Sequence, residues 1–346
     1  MKTALPYTEN FMNYYLGDKH PLKPIRLKKT YEMIKEYGLL DFRVEGKPAT
    51  DEDLYLAHSE EYVSAVKKEK NLDRYGFGTP DNPVFKNIYE SSLYYVGASV
   101  QCSEYPQAFN ISGGLHHAKW DRASGFCVFN DCVVLIKKLL EENERVAYID
   151  IDTHHGDGVQ DAFYNDPHVL FISIHEGPRY LFPGTGHTAE IGAKEGKGTS
   201  INIPLAPYTT DDIYCELFEK IVPPIVKEFD PEVIVSQLGV DTHYLDPLSQ
   251  IALSLEGYAS IVRKIKKLPK KRWIALGGGG YNVETVPKAW TLAYAIMRDV
   301  EIDFEEIFEE ERRDLKNYRR MKKNAENFAE KTYRELRGEI AAYFSI

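Results

Sequence analysis

Three carboxylates and two imidazoles crowd into the stretch YIDIDTHHGDG, Tyr148 to Gly158: Asp150, Asp152, His154, His155 and Asp157. The stretch follows the apolar pair Val146-Ala147. Desolvating that many ionisable groups without compensation costs roughly several kcal/mol, so they must be paired, hydrogen-bonded or bound to a cation. In extended backbone alternate side chains share a face, which predicts Asp150, Asp152 and His154 on one side and Ile149 and Ile151 in the opposite layer. Two carboxylates and an imidazole neutralise a divalent ion and leave coordination positions open, the pattern of a catalytic rather than a structural zinc site. Iron(II) suits the same mixed set. The expected ligands are Asp152, His154 and, from the later stretch QLGVDTHYLDPL, Asp241.

A second group lies upstream in ISGGLHHAKWDRASGFC (111–127), where His116-His117 follows a glycine pair that can bring backbone close to a site. Adjacent histidines with separate carboxylate partners are tuned apart in pKa, one mostly charged and one poised for proton transfer. Asp150 and Asp157 are available to orient them. Each feature taken singly has a plainer reading: a His-His pair as surface or capping polarity, Asp241 as an N-cap. The run GGGGYN (277–282) lacks the Gly-Lys-Ser/Thr of a phosphate loop and the spacing of a dinucleotide site. His20, His58, His168, His187 and His243 carry no motif.

The elements that must position these groups follow from periodicity. Apolar runs predict strands at 145–151, 168–174, 232–238 and 272–277. Amphipathic helices are predicted at 131–143, 212–229 and 256–268, the second interrupted by Pro223-Pro224. The alternation implies an α/β fold with a single parallel sheet and helices on both faces. Helices at 27–38 and 59–70 precede a Gly/Pro/Asn loop at 75–85 that reads as an active-site rim. Open parallel sheets bind ligands beyond the carboxyl ends of their strands, and here every predicted strand ends in polar residues: Asp150 onward, Ser173-Ile174-His175, Gly239-Val240-Asp241 and Gly277 to Tyr281. No linker divides the 346 residues, so one domain over 1–346 is expected, its charged segment from about 301 to 346 forming peripheral helices.

A net charge of −10 argues against a nucleic-acid surface and favours a cationic substrate. The four cysteines form no C-x-x-C pair and read as reduced, buried thiols. No apolar stretch has membrane-spanning length and no leader-like apolar segment opens the chain, so a cytoplasmic protein is expected.

The ordered motifs GGLHHA, SGFCVFND, IDIDTHHGDGVQDAF, SIHEGPRYLFPGTG, QLGVDTHYLDPL and LGGGGYN resemble those of the zinc-dependent histone deacetylase superfamily. The resemblance is to its class I side, most nearly the bacterial and archaeal acetoin-utilisation deacetylases, and runs from about His20 to Trp290. It implies the arginase-deacetylase fold. It also implies zinc on Asp152, His154 and Asp241, the tandem pair His116 and His117 oriented by Asp150 and Asp157 respectively, and Tyr281 facing the developing oxyanion. Phe126 and Phe182, with Gly125 and Leu248, would form a narrow channel for an acyl-lysine stem, and Asp81 a rim group reading substrate backbone amides. A structural potassium ion would use Asp150, Asp152, His154, Ser173 and Ile174, mainly through backbone oxygens. The implied reaction is hydrolysis of an N-acetyl-lysine amide in a protein or peptide. An acetylpolyamine amidohydrolase is the second reading, ranked lower because Gly-Gly-Leu rather than Pro-Pro-Gly leads the histidine pair. A binding module without turnover is the third, and a binuclear manganese hydrolase would need more carboxylates than residues 239–243 offer.

Overall fold

The computed structural model describes residues 2–143, 145–268 and 271–346, with every side chain among them except those of 313, 317, 319 and 320. A short parallel ribbon pairs β1 (Leu5–Tyr7) with β2 (Arg43–Glu45). The main sheet contains β3 (Gln107–Asn110), β4 (Val146–Asp150), β5 (Val169–Glu176), β6 (Ser200–Leu205), β7 (Val233–Gln237) and β8 (Arg272–Leu276). Its order is β3-β8-β7-β4-β5-β6, and all its pairs are parallel.

Residues along β4, β5 and β7 are buried from end to end, as both-face coverage demands. Alternation sorts them into two cores. Ala147, Ile149 and Ile151 join the apolar faces of helices Ile25–Glu36, Asp211–Phe229, Leu255–Lys266 and Thr285–Met297. Val146 and Tyr148 join those of Glu60–Lys68, Ile88–Cys102 and Asp131–Leu140. The chain winds outward from β4 through β5 to β6, then restarts at β7 on β4's other side. The crevice beyond β4 and β7 is therefore the topological switch point where such folds hold ligands.

Two expectations are corrected. Helix Asp211–Phe229 runs unbroken through Pro223 and Pro224. The carbonyls those prolines leave unpaired belong to exposed Glu219 and Lys220, while buried Leu217, Phe218, Ile221, Val222, Ile225 and Val226 keep the inner face packed. The charged C-terminal segment is also more than peripheral: helix Lys322–Ile340 buries Ala325, Ala329, Leu336 and Ile340, and Thr332 Oγ1 donates to the Pro204 carbonyl of β6 at 3.0 Å. It covers the sheet where an edge strand would stand open. Among the described residues no helix is long and apolar enough to cross a membrane.

Candidate active site

β4 ends at Asp150, so the extended alternation expected through His154 stops there and residues 152–154 lie in bends. Convergence comes instead from a repeated local turn. Asp150 Oδ1 accepts the Asp152 N–H at 3.0 Å, and Asp152 Oδ1 accepts the His154 N–H at 3.0 Å. Each carboxylate thus folds the backbone back on itself, the bonding that makes Asp a turn former.

The same bends carry Asp152 and His154 to Asp241, which leaves the end of β7. His154 Nδ1 lies 3.1 Å from Asp152 Oδ1 and 2.9 Å from Asp241 Oδ2. Among the described residues these three form the only group of His, Cys, Asp or Glu whose ligand atoms all lie within 4.8 Å of one another. Their other oxygens are taken: Asp152 Oδ2 by Gln237 Nε2 (2.6 Å) and the Gly279 N–H (2.8 Å), Asp241 Oδ1 by the Thr153 N–H (2.9 Å). Gly279 is required at this approach, since a Cβ there would sit 2.1 Å from Asp241 Oδ2. Asp241 does not cap a helix, because a loop follows it. Burial and the neighbouring Asp152 push the Asp241 carboxyl up to about 8. Burial works against charge on His154, yet its bonds to Asp152 and Asp241 push it up to about 10. The site demands positive charge between two dry carboxylates, and this donor set fits a divalent cation.

His116 and His117 stand beside this cluster. His116 Nδ1 donates to Asp150 Oδ2 at 2.7 Å, and His117 Nδ1 to Asp157 Oδ1 at 2.7 Å. Their Nε2 atoms are 3.0 Å apart, with that of His116 3.9 Å from Asp152 Oδ1. Both are buried, but their surroundings differ. Against the cost of burial, Asp150 and Asp152 push His116 up to about 9, whereas burial and the charge of His116 lower His117 to about 4. The surroundings therefore favour the charged form at His116 and the neutral form at His117. Asp157, despite burial, is held well below the usual carboxylate range by His117 and then by Lys119, whose Nζ is 2.6 Å from Asp157 Oδ2.

Aromatic groups surround the pair. The Phe182 ring is 5.1 Å from that of His117, and the Tyr281 ring is 5.7 Å from that of Phe126 and 6.4 Å from that of His154. Phe182 is 44% exposed, which places an apolar wall at the mouth, while Phe126 and Leu248 are partly buried. Gly125 lies against the His117 ring, and a Cβ there would come within 2.4 Å of it. Asp81 is exposed, and its carbonyl is 3.3 Å from His20 Nε2. Asp150 and Ser173 are direct register partners in β4 and β5, with Ile174 buried beside them.

Residues 20–297 match the histone deacetylase domain. The chain belongs to the histone deacetylase family. It is 38% identical over 316 residues to the acetoin utilization protein AcuC of Bacillus subtilis strain 168, covering 85% of this chain and 82% of that protein. AcuC of Staphylococcus aureus strain MSSA476 is 39% identical over 319 residues, covering 86% and 82%. The crystal structure of an HDAC homolog complexed with SAHA superposes with a TM-score of 0.83 at 33% identity, covering 88% of this chain and 86% of that one. The HDAC homolog from Aquifex aeolicus gives 0.82 at 33% identity, covering 87% and 86%. The fold is the arginase-deacetylase fold, and the chain is an AcuC-like hydrolase of this metal-dependent deacetylase family.

Several residues that hold this deacetylase site together escaped the motif reading. Asn130 Nδ2 donates to the carbonyls of His116 (3.1 Å) and Ala118 (2.9 Å), and Asp131 accepts the N–H groups of Gly114 (2.9 Å) and Leu115 (2.8 Å). Together they clamp the backbone on either side of the tandem pair. Asn82 Oδ1 accepts the Phe126 N–H at 3.0 Å and helps hold a non-glycine residue at φ +71. Arg26, buried, donates to the Gly280 carbonyl at 2.8 Å. Asp246 Oδ2 accepts the Tyr281 N–H at 2.7 Å. His20 and His58, set aside above, pack against Phe126 (4.4 Å between rings) and accept the Asn130 N–H (2.9 Å) respectively. The signal for Asn130-Asp131 was present in SGFCVFND, but only the fold shows what the pair touches.

Proposed function

We propose that the chain is a protein lysine deacetylase that hydrolyses the amide of N-acetyl-lysine, with zinc held by Asp152, His154 and Asp241. One observation carries the reading: two buried histidines, each tied to its own aspartate at 2.7 Å, stand beside a three-donor cation site. When bound, the metal supplies Lewis acidity to the amide carbonyl and to the attacking water. Neutral His117 offers Nε2 to the water's proton, and its Nδ1 bond to Asp157 fixes both tautomer and ring orientation. His116, kept charged by Asp150, stabilises negative charge developing nearby and discourages a second proton on His117 until water supplies one. That proton then passes from His117 to the leaving amine.

Burial, followed by the carboxylates of Asp241 and Asp152, holds the Tyr281 phenol well above its ordinary pKa, so it remains an O–H donor for the tetrahedral oxyanion. Phe126, Phe182, Gly125 and Leu248 form the proposed passage for the lysine stem. Such walls admit a neutral acetamide more readily than an ammonium. Asp81 is the proposed reader of substrate backbone. Zinc is the proposed ion, with iron(II) suiting the same donors, and potassium is proposed at Asp150, Asp152, His154, Ser173 and Ile174. Residues 1–346 are read as one deacetylase domain, since both cores share one sheet. The free thiols Cys102, Cys127, Cys132 and Cys215 support a cytoplasmic setting.

The test is hydrolysis by the zinc-reconstituted protein of an acetyl-lysine peptide against acetylputrescine and acetylspermidine, with a hydroxamate control. Preference for the peptide is expected; preference for the polyamines would assign the second substrate class. His117→Ala should lower turnover far more than zinc content. Parallel loss of both would mean that a ligand has been taken for a base.

A further inference from the structure

Helix Glu305–Asp314 lies beyond residue 297, where the family match ends. Its sequence, EEIFEEERRD, is almost wholly charged, and such a run ordinarily makes a solvated face. Glu311 departs from that pattern. It is 5% exposed, and both its carboxylate oxygens are engaged: Oε1 with His243 Nε2 at 2.8 Å, Oε2 with the Leu255 N–H at 2.7 Å. His243 Nδ1 accepts the Leu245 N–H at 3.2 Å, so the ring's other nitrogen is the one that donates to Glu311. A carboxylate this deeply placed is costly to bury unless every oxygen finds a donor, which makes the contact specific in geometry.

His243 and Leu255 stand near the two ends of the loop that leaves β7 and enters helix Leu255–Lys266. The loop is closed internally by Leu253 N–H to Thr242 O (3.1 Å) and Tyr244 N–H to Leu253 O (3.0 Å). From outside, the same helix adds Asp314 Oδ2, accepting from Tyr244 OH at 3.0 Å, and Arg312, donating to Glu256 at 2.7 and 2.9 Å. Asp241 lies in this loop, which also carries Asp246, whose carboxylate accepts the N–H groups of Tyr281 (2.7 Å) and Leu248 (2.9 Å).

We propose that Glu311 is a positioning residue: through His243 and Leu255 it braces the 241–254 loop, and through that loop it orients the Asp241 ligand and the Tyr281 phenol. The inference rests on the site reading above. It assigns a function to a segment outside the matched domain.

The test uses the full chain and two readouts, zinc affinity by competition with a chromophoric chelator and steady-state hydrolysis of an acetyl-lysine peptide. Glu311→Ala should weaken zinc binding about 10- to 100-fold, the usual effect of losing a group that orients a ligand. It should also lower kcat more than it raises KM. Glu311→Gln, which keeps one good acceptor, should fall between, and Glu309→Ala, at an exposed position of the same helix, should match the parent. His243→Ala with Glu311→Ala together should cost no more than Glu311→Ala alone, because one pathway is cut twice. Parental zinc affinity and kcat in Glu311→Ala, or in Glu311→Gln where the alanine variant does not fold, would reduce the brace to bulk stability and overturn the proposal. Zinc affinity needs no turnover, so a parent protein inert towards acetyl-lysine would sink the functional reading while the brace is still judged on metal binding.

Discussion

At the scale of single residues, the site assigns different work to chemically identical side chains by their surroundings. His116 and His117 are neighbours in sequence, yet the first sits near two carboxylates and the second beside a charged imidazole, which separates them to about 9 and about 4. Tyr281 is placed by its own backbone, through Asp246, rather than by its ring alone. Tyr281→Phe should therefore keep the fold and the zinc affinity while kcat falls on the order of 10² to 10³, the usual loss of one oxyanion donor. Stopped-time hydrolysis together with metal analysis checks this, and near-parental kcat would remove Tyr281 from the mechanism. The clustering of these groups was legible in sequence because Asp150-x-Asp152-x-His154 and His116-His117 gather ionisable side chains beside apolar runs and glycines. Their supports were not: Asn82, Asn130, Asp131, Gln237 and Asp246 are ordinary polar letters whose roles exist only through hydrogen bonds to distant backbone.

Among the elements, legibility followed unbroken apolar runs rather than burial, since β6 is buried throughout and was still missed. The four strands read from the sequence, β4, β5, β7 and β8, are consecutive neighbours in the sheet and yield apolar runs because helices cover both faces. The two edges were missed. β3 is four residues long, and β6 contains Pro204, which only an edge position tolerates without losing a ladder bond. Helix Ile88–Cys102 was missed as well, since its buried face is made largely of Ser, Gly, Ala and Tyr rather than a Leu/Ile stripe. The last helix, expected to be peripheral, contributes Leu336, fully buried, to the core beneath β6. Leu336→Ala should cost about 2 to 5 kcal/mol in urea unfolding, the range for deleting a buried leucine side chain. A change under about 0.5 kcal/mol, the size typical of surface sites, would show that the helix adds little to the fold.

For the molecule as a whole, buried neutral histidines set an acid limit. Burial holds His58 and His175 at about 4, against about 6.5 for an unfolded imidazole. Between those values the unfolded chain binds protons that the folded one refuses. The stability each contributes is therefore intact above pH 6.5 and is lost as pH falls towards 4. At about 1.4 kcal/mol per pKa unit, His58 alone accounts for up to roughly 3 kcal/mol. His58→Gln should therefore lose less stability than the parent between pH 6.5 and 4.5, a comparison that subtracts the titration of the carboxylates. Parallel urea midpoints across that range would show that His58 is not held neutral.

The pairing of β4 with β7 has a temporal consequence. Asp241 meets His154 from 87 positions further along the chain. A polypeptide emerging from the ribosome thus has no complete cation trap until both βα turns beyond β4 have been made and the seventh strand has docked. Capture of the ion can then serve as a receipt for correct assembly, given only to molecules whose sheet has closed in the right order.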